Sequence, residues 1–346
     1  MNALDGRILV TGGAGFIGSA IVWALNRRGR SDILVADFLE PSKLWRDSVP
    51  LGVDVQAKRR NIEPLRFADF IEADSFRSQI AAHPDAFGAF SAIFHLGACS
   101  STTETNSAYL DDINFEYTRI LAAWALSRGS RFIYASSAAT YGDGSVGMDD
   151  GAGDISRLHP LNPYGRSKQS FDLHARDQGW LDRIVGLKYF NIFGPNEDHK
   201  GDMRSVVHKA YQQIRQTGRV QLFKSHRPDF RDGEQKRDFL YIKDAVDMTL
   251  HFVEGAPAAA GLFNIGSGRA HTWRDLVHPI FSSLNLPPRI EFIEMPGALR
   301  DKYQYFTQAD ISKLRATGYT RPLTPLADAV KDCVLNHLVP DKRLGA

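Results

Sequence analysis

Two side chains four residues apart, Tyr164 and Lys168, have the types and the spacing to move a proton. Asn162 and Pro163 suit the N-cap and first position of a helix, and residues four apart then share one helix face. A free phenol ionises near ~10 and is a poor base at neutral pH. An ammonium one helical turn away favours the phenolate, so the pair could take the proton of a secondary alcohol. Ser137 could hold that alcohol's oxygen, because it ends the run Arg131 to Ser136, and open α/β sheets place ligands at the C-terminal edges of their strands. On an isolated helix the same spacing would be ordinary surface and core, so its meaning depends on the elements around it.

The first of these elements is the stretch Arg7-Ile8-Leu9-Val10-Thr11-Gly12-Gly13-Ala14-Gly15-Phe16-Ile17-Gly18, read as a buried strand, a glycine turn and the start of a helix that runs to Arg28. Gly12 would permit a tight turn, Gly15 the approach of backbone N–H groups to a pyrophosphate, and Gly18 close packing of helix on strand. A second apolar strand, Ile33 to Ala36, ends at Asp37, 19 positions beyond Gly18. A carboxylate there can accept both ribose hydroxyls of an adenosine. Lys43, Arg46, Lys58, Arg59 and Arg60 stand nearby. They could meet a 2′-phosphate or form a solvated basic loop, which leaves NAD and NADP both open. The segment from Phe38 to Pro64 shows no sustained period and reads as a long surface excursion.

Helical spacing returns near Glu72 to Ala82 and over Asn106 to Arg128, separated by a strand, Ala92-Ile93-Phe94-His95, that runs into Leu96-Gly97-Ala98. The small residues there would let backbone lie against a bound nucleotide. His95 has no acid beside it in sequence and is read as structural. Leu240-Tyr241-Ile242 and Leu262-Phe263-Asn264-Ile265 read as strands returning to the first sheet. The fold class expected is α/β, a Rossmann-type doubly wound parallel sheet with a smaller C-terminal substrate lobe. Residues 1–190 form the dinucleotide-binding domain, with strands returning from about 238–266; residues 191–237 and 267–346 form the lobe.

Composition narrows the class. The 346 residues are 43% hydrophobic and 24% charged, with a formal net charge of +2. So small a charge gives no field that would draw the whole chain to nucleic acid or an anionic membrane. No apolar run reaches the roughly 18 residues of a membrane span. Two cysteines, Cys99 and Cys333, lack metal-ligand spacing, and so low a count suits a reducing compartment. The expectation is a cytoplasmic protein with no metal and no nucleic-acid or membrane partner.

Taken together, Thr11 to Gly18, Ser136-Ser137-Ala138-Ala139-Thr140-Tyr141-Gly142, Tyr164 to Lys168 and Tyr189-Phe190-Asn191-Ile192-Phe193-Gly194-Pro195 resemble the extended short-chain dehydrogenase/reductase superfamily, in its sugar-nucleotide branch. The dehydratases of that branch carry an Asp-Glu pair after the serine. Ala138 and Ala139 stand there, which leaves oxidation or epimerisation. Asn196 to Val206, Gly97 to Glu104 and Tyr303 to Asp310 are similar to the ADP-L-glycero-D-manno-heptose 6-epimerase family over nearly the whole chain. That resemblance implies epimerisation of an ADP-heptose at C6 through a 6-keto intermediate, in lipopolysaccharide inner-core synthesis, with a tightly held NADP or NAD. A 4-epimerase or dehydrogenase of another nucleotide sugar is the alternative.

By matching positions, the resemblance implies Ser137, Tyr164, Lys168 and Lys200 as catalytic residues. Lys200 would be a second acid/base, or else a surface lysine or phosphate contact. Cofactor contacts are implied at Phe16, Ile17, Asp37, Phe38, Leu96, Gly97, Ala98, Cys99 and Ser100 and again at Tyr164 and Lys168, with Asp69, Asn114 and Ile192 completing the set. Substrate contacts fall on Ser100, Asn191, Asp202, His208, Phe223, Lys224, Ser225, His226, Arg237 and Tyr303. Phe38 replaces the family's usual Asn, and Asp202 a small hydroxyl residue. The loop from Arg227 to Arg237 is longer than usual, so Arg231 and Lys236 have no matched role. A homo-oligomer joined through the helix from Asn106 or from Pro163 is a superfamily expectation.

Overall fold

A computed structural model describes residues 4–39, 53–151, 153–300 and 303–346; Lys43 and Arg46 lie outside them. In chain order its strands are β1 (Ile8–Thr11), β2 (Ile33–Asp37), β3 (Asp69–Glu72), β4 (Ala92–His95), β5 (Arg131–Ser137), β6 (Val185–Tyr189), β7 (Asn191–Phe193), β8 (Val220–Phe223), β9 (Lys236–Tyr241), β10 (Gly261–Ile265), β11 (Ala270–Thr272) and β12 (Ile290–Ile293). The helices that frame the site are α1 (Phe16–Arg27), α2 (Val55–Arg60), α3 (Ala73–Ala82), α4 (Ser107–Leu110), α5 (Tyr117–Ser127), α6 (Pro163–Asp177), α7 (Val206–Thr217), α8 (Ile242–Glu254) and α9 (Trp273–Ser283).

Seven strands form one parallel sheet in the order β10-β6-β5-β4-β1-β2-β3. Its strands are continuous apolar runs because both faces are covered. Ile8 and Val10 of β1 join one core with Ile21, Leu25, Val246 and Leu250 from α1 and α8. Leu9, between them, points the other way, into a core with Phe76, Leu121, Trp124 and Phe171 from α3, α5 and α6. Each such fully buried side chain contributes roughly 1.5–3 kcal/mol, so a charge at Leu9 would strip β1 from one helical layer. The strand order reverses its direction between β1 and β4, where an open α/β sheet leaves a crevice at its carboxyl edge.

The returning strands divide. β10 pairs with β6 at the edge of the large sheet. β9, expected beside it, instead joins β7 and β11 in a three-stranded sheet, and Ile242 already begins α8. Strand pattern alone cannot name a partner, and the short β7 that captures β9 follows β6 after a single residue. β8 and β12 pair in a further two-stranded sheet. The excursion after β2 also contains α2, whose N-cap Asp54 accepts from the Ala57 N–H; a capping Asp before Val55 was the available signal. No described helix is long and apolar enough to cross a membrane.

Candidate active site

The crevice is a cavity of about 940 Å³. Gly12 turns the chain at its base with φ +69°, a conformation that glycine adopts without strain. A Cβ on Gly18 would overlap the Gly12 carbonyl oxygen, so α1 packs on the turn only because residue 18 has no side chain. Gly15 caps α1 without a side-chain hydrogen bond, leaving the first-turn N–H groups and the positive end of the helix dipole for an anion. These are the features a dinucleotide needs, and the cradle fits one.

Asp37 ends β2 beside this turn and is buried. Its carboxylate accepts from four donors: the N–H groups of Ala14 (2.8 Å), Gly15 (3.2 Å) and Phe38 (2.7 Å), and Lys58 Nζ (2.5 Å). The acid therefore staples the glycine turn to β2 as well as facing the cavity. Lys58, on α2, also donates to the Phe38 carbonyl at 3.0 Å. Among the five nearby cations, sequence could not single it out, because the choice depends on α2 folding back over the end of β2. Phe16, Ile17, Phe38, Leu96, Gly97, Ala98, Cys99, Ser100 and Ile192 all line the cavity.

Two expected cofactor contacts lie elsewhere. Asp69 starts β3 opposite Leu34, three residues before the strand's crevice end at Glu72, and it is exposed. Ala73, just past that end, lines the cavity instead. Asn114 is buried behind the 96–100 loop, where it accepts from the Cys99 N–H (2.8 Å) and donates to the Cys99 carbonyl (3.0 Å) and Ser167 Oγ (2.9 Å). It braces the loop rather than facing the cavity. It sits in a π-helical turn, Asp111–Glu116, between α4 and α5, which a 3.6-residue period does not reveal. His95 is structural: its ring nitrogens meet Thr11 Oγ1 (2.7 Å) and Thr118 Oγ1 (3.0 Å), and burial pushes the imidazole down to about 3.

Ser137, Tyr164 and Lys168 meet on the cavity wall opposite the β1 edge of β4, where β5 and α6 end and begin. Asn162 caps α6 by accepting from the Gly165 N–H at 2.7 Å. The Tyr164 and Ser137 hydroxyls are hydrogen-bonded. Burial pushes the phenol above its ordinary value and the Ser137 bond pulls it back. The expected depression by Lys168 is absent: the phenol is set by burial, Ser137 and Cys99. Lys168 donates to the Ala135 carbonyl at 2.9 Å, and burial brings its ammonium down to about 8, with Asp172 opposing that fall.

Lys200 and Asp202 reach the cavity from the turn after β7. Lys200 Nζ lies 5.0 Å from the centre of the Phe16 ring and 3.8 Å from Glu197. Glu197 is itself held by the N–H groups of Gly194 and Ser205. Glu197 is a fixed buried anion that sequence inspection passed over. Asn191 also faces the cavity, with Thr307 donating to its side chain at 3.4 Å.

The remaining substrate candidates form a second cluster beyond the cavity wall. Arg237 is buried, lies 5.1 Å from the Tyr303 ring and 5.8 Å from Trp273, and donates to the Lys236 carbonyl. Among the described residues no carboxylate pairs with it, an arrangement suited to a phosphate. Trp273 Nε1 donates to Tyr303 Oη at 2.9 Å, and Trp273 lines the cavity, so the cluster adjoins it. Phe223 stacks edge-on with Tyr303, and the His226 N–H donates to Tyr305 Oη. Lys224 pairs with Glu294, and the Ser225 N–H with Asp232. That the Trp273 ring meets Arg237 comes from packing, not spacing, and no motif signals it. His208 is not brought to the cavity. Its Nε2 meets Asp198 at 3.0 Å inside a separate pocket of about 180 Å³ closed by Arg343. The third residue of α7 turns inward, away from the crevice. No cluster of metal-binding side chains occurs among the described residues.

The model of the NAD dependent epimerase/dehydratase family matches residues 8–266. An ADP-L-glycero-D-manno-heptose-6-epimerase of Nitratidesulfovibrio vulgaris is 47% identical over 330 residues, 95% of this chain and 97% of its own. One from Fusobacterium nucleatum is 40% identical over 343 residues, covering 96% and 98%. Among solved structures, the ADP-L-glycero-D-manno-heptose-6-epimerase of Helicobacter pylori is similar at a TM-score of 0.74 and 25% identity over 97% of each chain. A Thermus thermophilus UDP-glucose 4-epimerase in complex with NAD shares the fold, with a TM-score of 0.70 at 24% identity over 95% of this chain and 97% of that one. The chain belongs to the NAD dependent epimerase/dehydratase family, in the branch of the ADP-L-glycero-D-manno-heptose-6-epimerases.

Proposed function

We propose that the protein interconverts ADP-D-glycero-D-manno-heptose and ADP-L-glycero-D-manno-heptose by oxidation and re-reduction at C6. The observation that carries this reading is that one cavity is lined by Ser137 of β5, Tyr164 and Lys168 of α6 and, from a separate segment, Lys200, beside a dinucleotide cradle; the first three and Lys200 are then two separate sources of a proton. A bound nicotinamide dinucleotide supplies hydride uptake and return. Tyr164 takes or gives the hydroxyl proton of one epimer while Ser137 holds the oxygen, and Lys168 keeps positive charge one helical turn away. Lys200 serves the other epimer after the ketone has turned its opposite face to the cofactor. Arg237 holds the diphosphate between Tyr303 and Trp273, so the sugar can turn without leaving.

The test is incubation of purified protein with ADP-D-glycero-D-manno-heptose, reading the C6 epimer by NMR. Appearance of the L epimer without net cofactor reduction is expected; stoichiometric reduced cofactor would point to a dehydrogenase. Single-turnover measurements on Lys200→Met and Tyr164→Phe add the assignment. Each variant should retain transient cofactor reduction with one epimer and lose it with the other. Equal loss on both epimers in the Lys200 variant would reject its acid/base role.

For the cofactor we propose NADP. Lys58 neutralises Asp37 at the ribose end, which removes the repulsion a 2′-phosphate would otherwise meet, and its ammonium can shift to the phosphate. Lys58→Met is expected to weaken NADP binding about tenfold or more while changing NAD binding little, read by calorimetry on protein stripped of nucleotide. Equal losses for both would refute the preference.

A further inference from the structure

Behind β5 lies a buried polar set that the mechanism above does not use. Asp172, on α6, accepts from Tyr134 Oη at 2.8 Å, Ser136 Oγ at 2.7 Å and Lys188 Nζ at 3.0 Å. Lys188, on β6, also donates to Thr140 Oγ1 at 2.7 Å. Thr140 in turn donates to the Ser137 carbonyl at 2.8 Å. Both charged side chains are excluded from solvent. A buried ion pair is no bargain for stability, since desolvation consumes most of its attraction. This pair, however, grips the two serines at the end of β5, and Asp172 lies one helical turn from Lys168 on the same helix.

We propose that Asp172 and Lys188 act as opposed charges that set the electrostatic field at Lys168, while their hydrogen bonds fix the end of β5 that carries Ser137. They are positioning residues. The proposal rests on the reading of Ser137, Tyr164 and Lys168 as the catalytic group.

The groups packed around Lys168 leave these two in control. On its own helix stand Tyr164, held above its ordinary value, and Asp172. From β4 comes His95, neutral at a value near 3; from the following loop comes Cys99, its thiol pushed up to about 11. Tyr134 of β5, which donates to Asp172, is raised well above a free phenol. At neutral pH the tyrosines, the thiol and the imidazole are uncharged. The remaining charges are Asp172, which favours the ammonium, and Lys188, of opposite sign, 3.0 Å from the Asp172 carboxylate. In a buried setting such fields act at low dielectric and are strong. Removing one member should therefore move Lys168 in one direction, and removing the other should move it in the opposite direction. A purely structural pair would not produce opposite signs.

The test uses the full chain with its lysines 13C-labelled, following the Lys168 side-chain resonance, assigned by its loss in Lys168→Met, against pH. The wild type should titrate near 8. Asp172→Asn should move that midpoint down by about one pH unit or more, and Lys188→Met should move it up by about one, with the double variant returning near the wild type. Shifts of the same sign in both single variants, or none in either, would overturn the proposal. If Asp172→Asn fails to fold, Lys188→Met decides alone, and an unmoved or lowered midpoint refutes it. The titration needs no substrate, so it stands apart from the epimerase reading; where turnover is present, the alkaline limb of kcat should follow the same shifts.

Discussion

Tyr164 shows how far a residue's chemistry depends on its surroundings. Four-residue spacing to Lys168 suggests an activated phenol, yet burial raises the phenol and lowers the ammonium only to about 8, so at neutral pH the phenol keeps its proton and Lys168 keeps its charge. Tyr164→Phe removes the hydroxyl and leaves the apolar packing. It is expected to lower kcat by about 10²–10⁴-fold while the protein retains its nucleotide, checked by turnover and by nucleotide released on denaturation. Arg237 makes a separate case. Its planar guanidinium lies 5.1 Å from the Tyr303 ring and 5.8 Å from the Trp273 ring and donates to the Lys236 carbonyl. Arg237→Lys keeps the charge but loses the stacking and the paired donors, so KM for the nucleotide sugar should rise about tenfold with kcat little changed. A fall in kcat alone would contradict a diphosphate role.

At the scale of elements, the glycine turn and the segment carrying Lys200 are one mechanical unit. Asn61, just past α2, donates to the carbonyls of Ala14 (3.0 Å) and Asn196 (3.2 Å), and meets His199 Nδ1 at 3.2 Å. The Asp54 N–H donates to the His199 carbonyl as well. Through these bonds the wall that holds the ribose end is tied to the wall that supplies Lys200. Helix α1 depends on a different detail, the absence of a Cβ at residue 18. Gly18→Ala must push α1 away from the turn, at a cost of roughly 1–3 kcal/mol. The expected result is a lower urea midpoint together with loss of co-purifying nucleotide; retention of both would mean that the turn can yield.

For the whole molecule, acid is the weak side. His95 and His199 are both buried and held down at about 3, mainly by desolvation. An unfolded histidine titrates near 6.5, so below that value the unfolded chain binds protons that the folded chain refuses. Stability is complete above about 6.5 and is lost as pH falls toward 3. Each histidine removes up to about 1.4 kcal/mol per pH unit in that window. Urea midpoints should be level near pH 7.5 and fall steadily between pH 6 and 4; a flat profile would show that at least one ring is not buried neutral. His199 lies within the brace just described, so the same titration should loosen the Lys200 wall first.

The sequence by itself determined the parallel sheet, the glycine turn, the acid-ended second strand and the Ser137, Tyr164 and Lys168 set, because these depend on local periodicity and on spacing within one element. It also pointed to Lys200, through the motif after Asn191. Only the tertiary structure decided the rest. Lys58, not its neighbours, meets Asp37, because α2 folds back over β2. Arg237 gathers with Trp273 and Tyr303 from three distant segments. Asp69, Asn114 and His208 turn away from the cavity for reasons of register, helical irregularity and helix facing. β9 leaves the main sheet, since pairing is a choice among strands and pattern alone does not make it. Position along the chain specifies what a residue can do; which groups it meets is settled by contacts between segments that no spacing records.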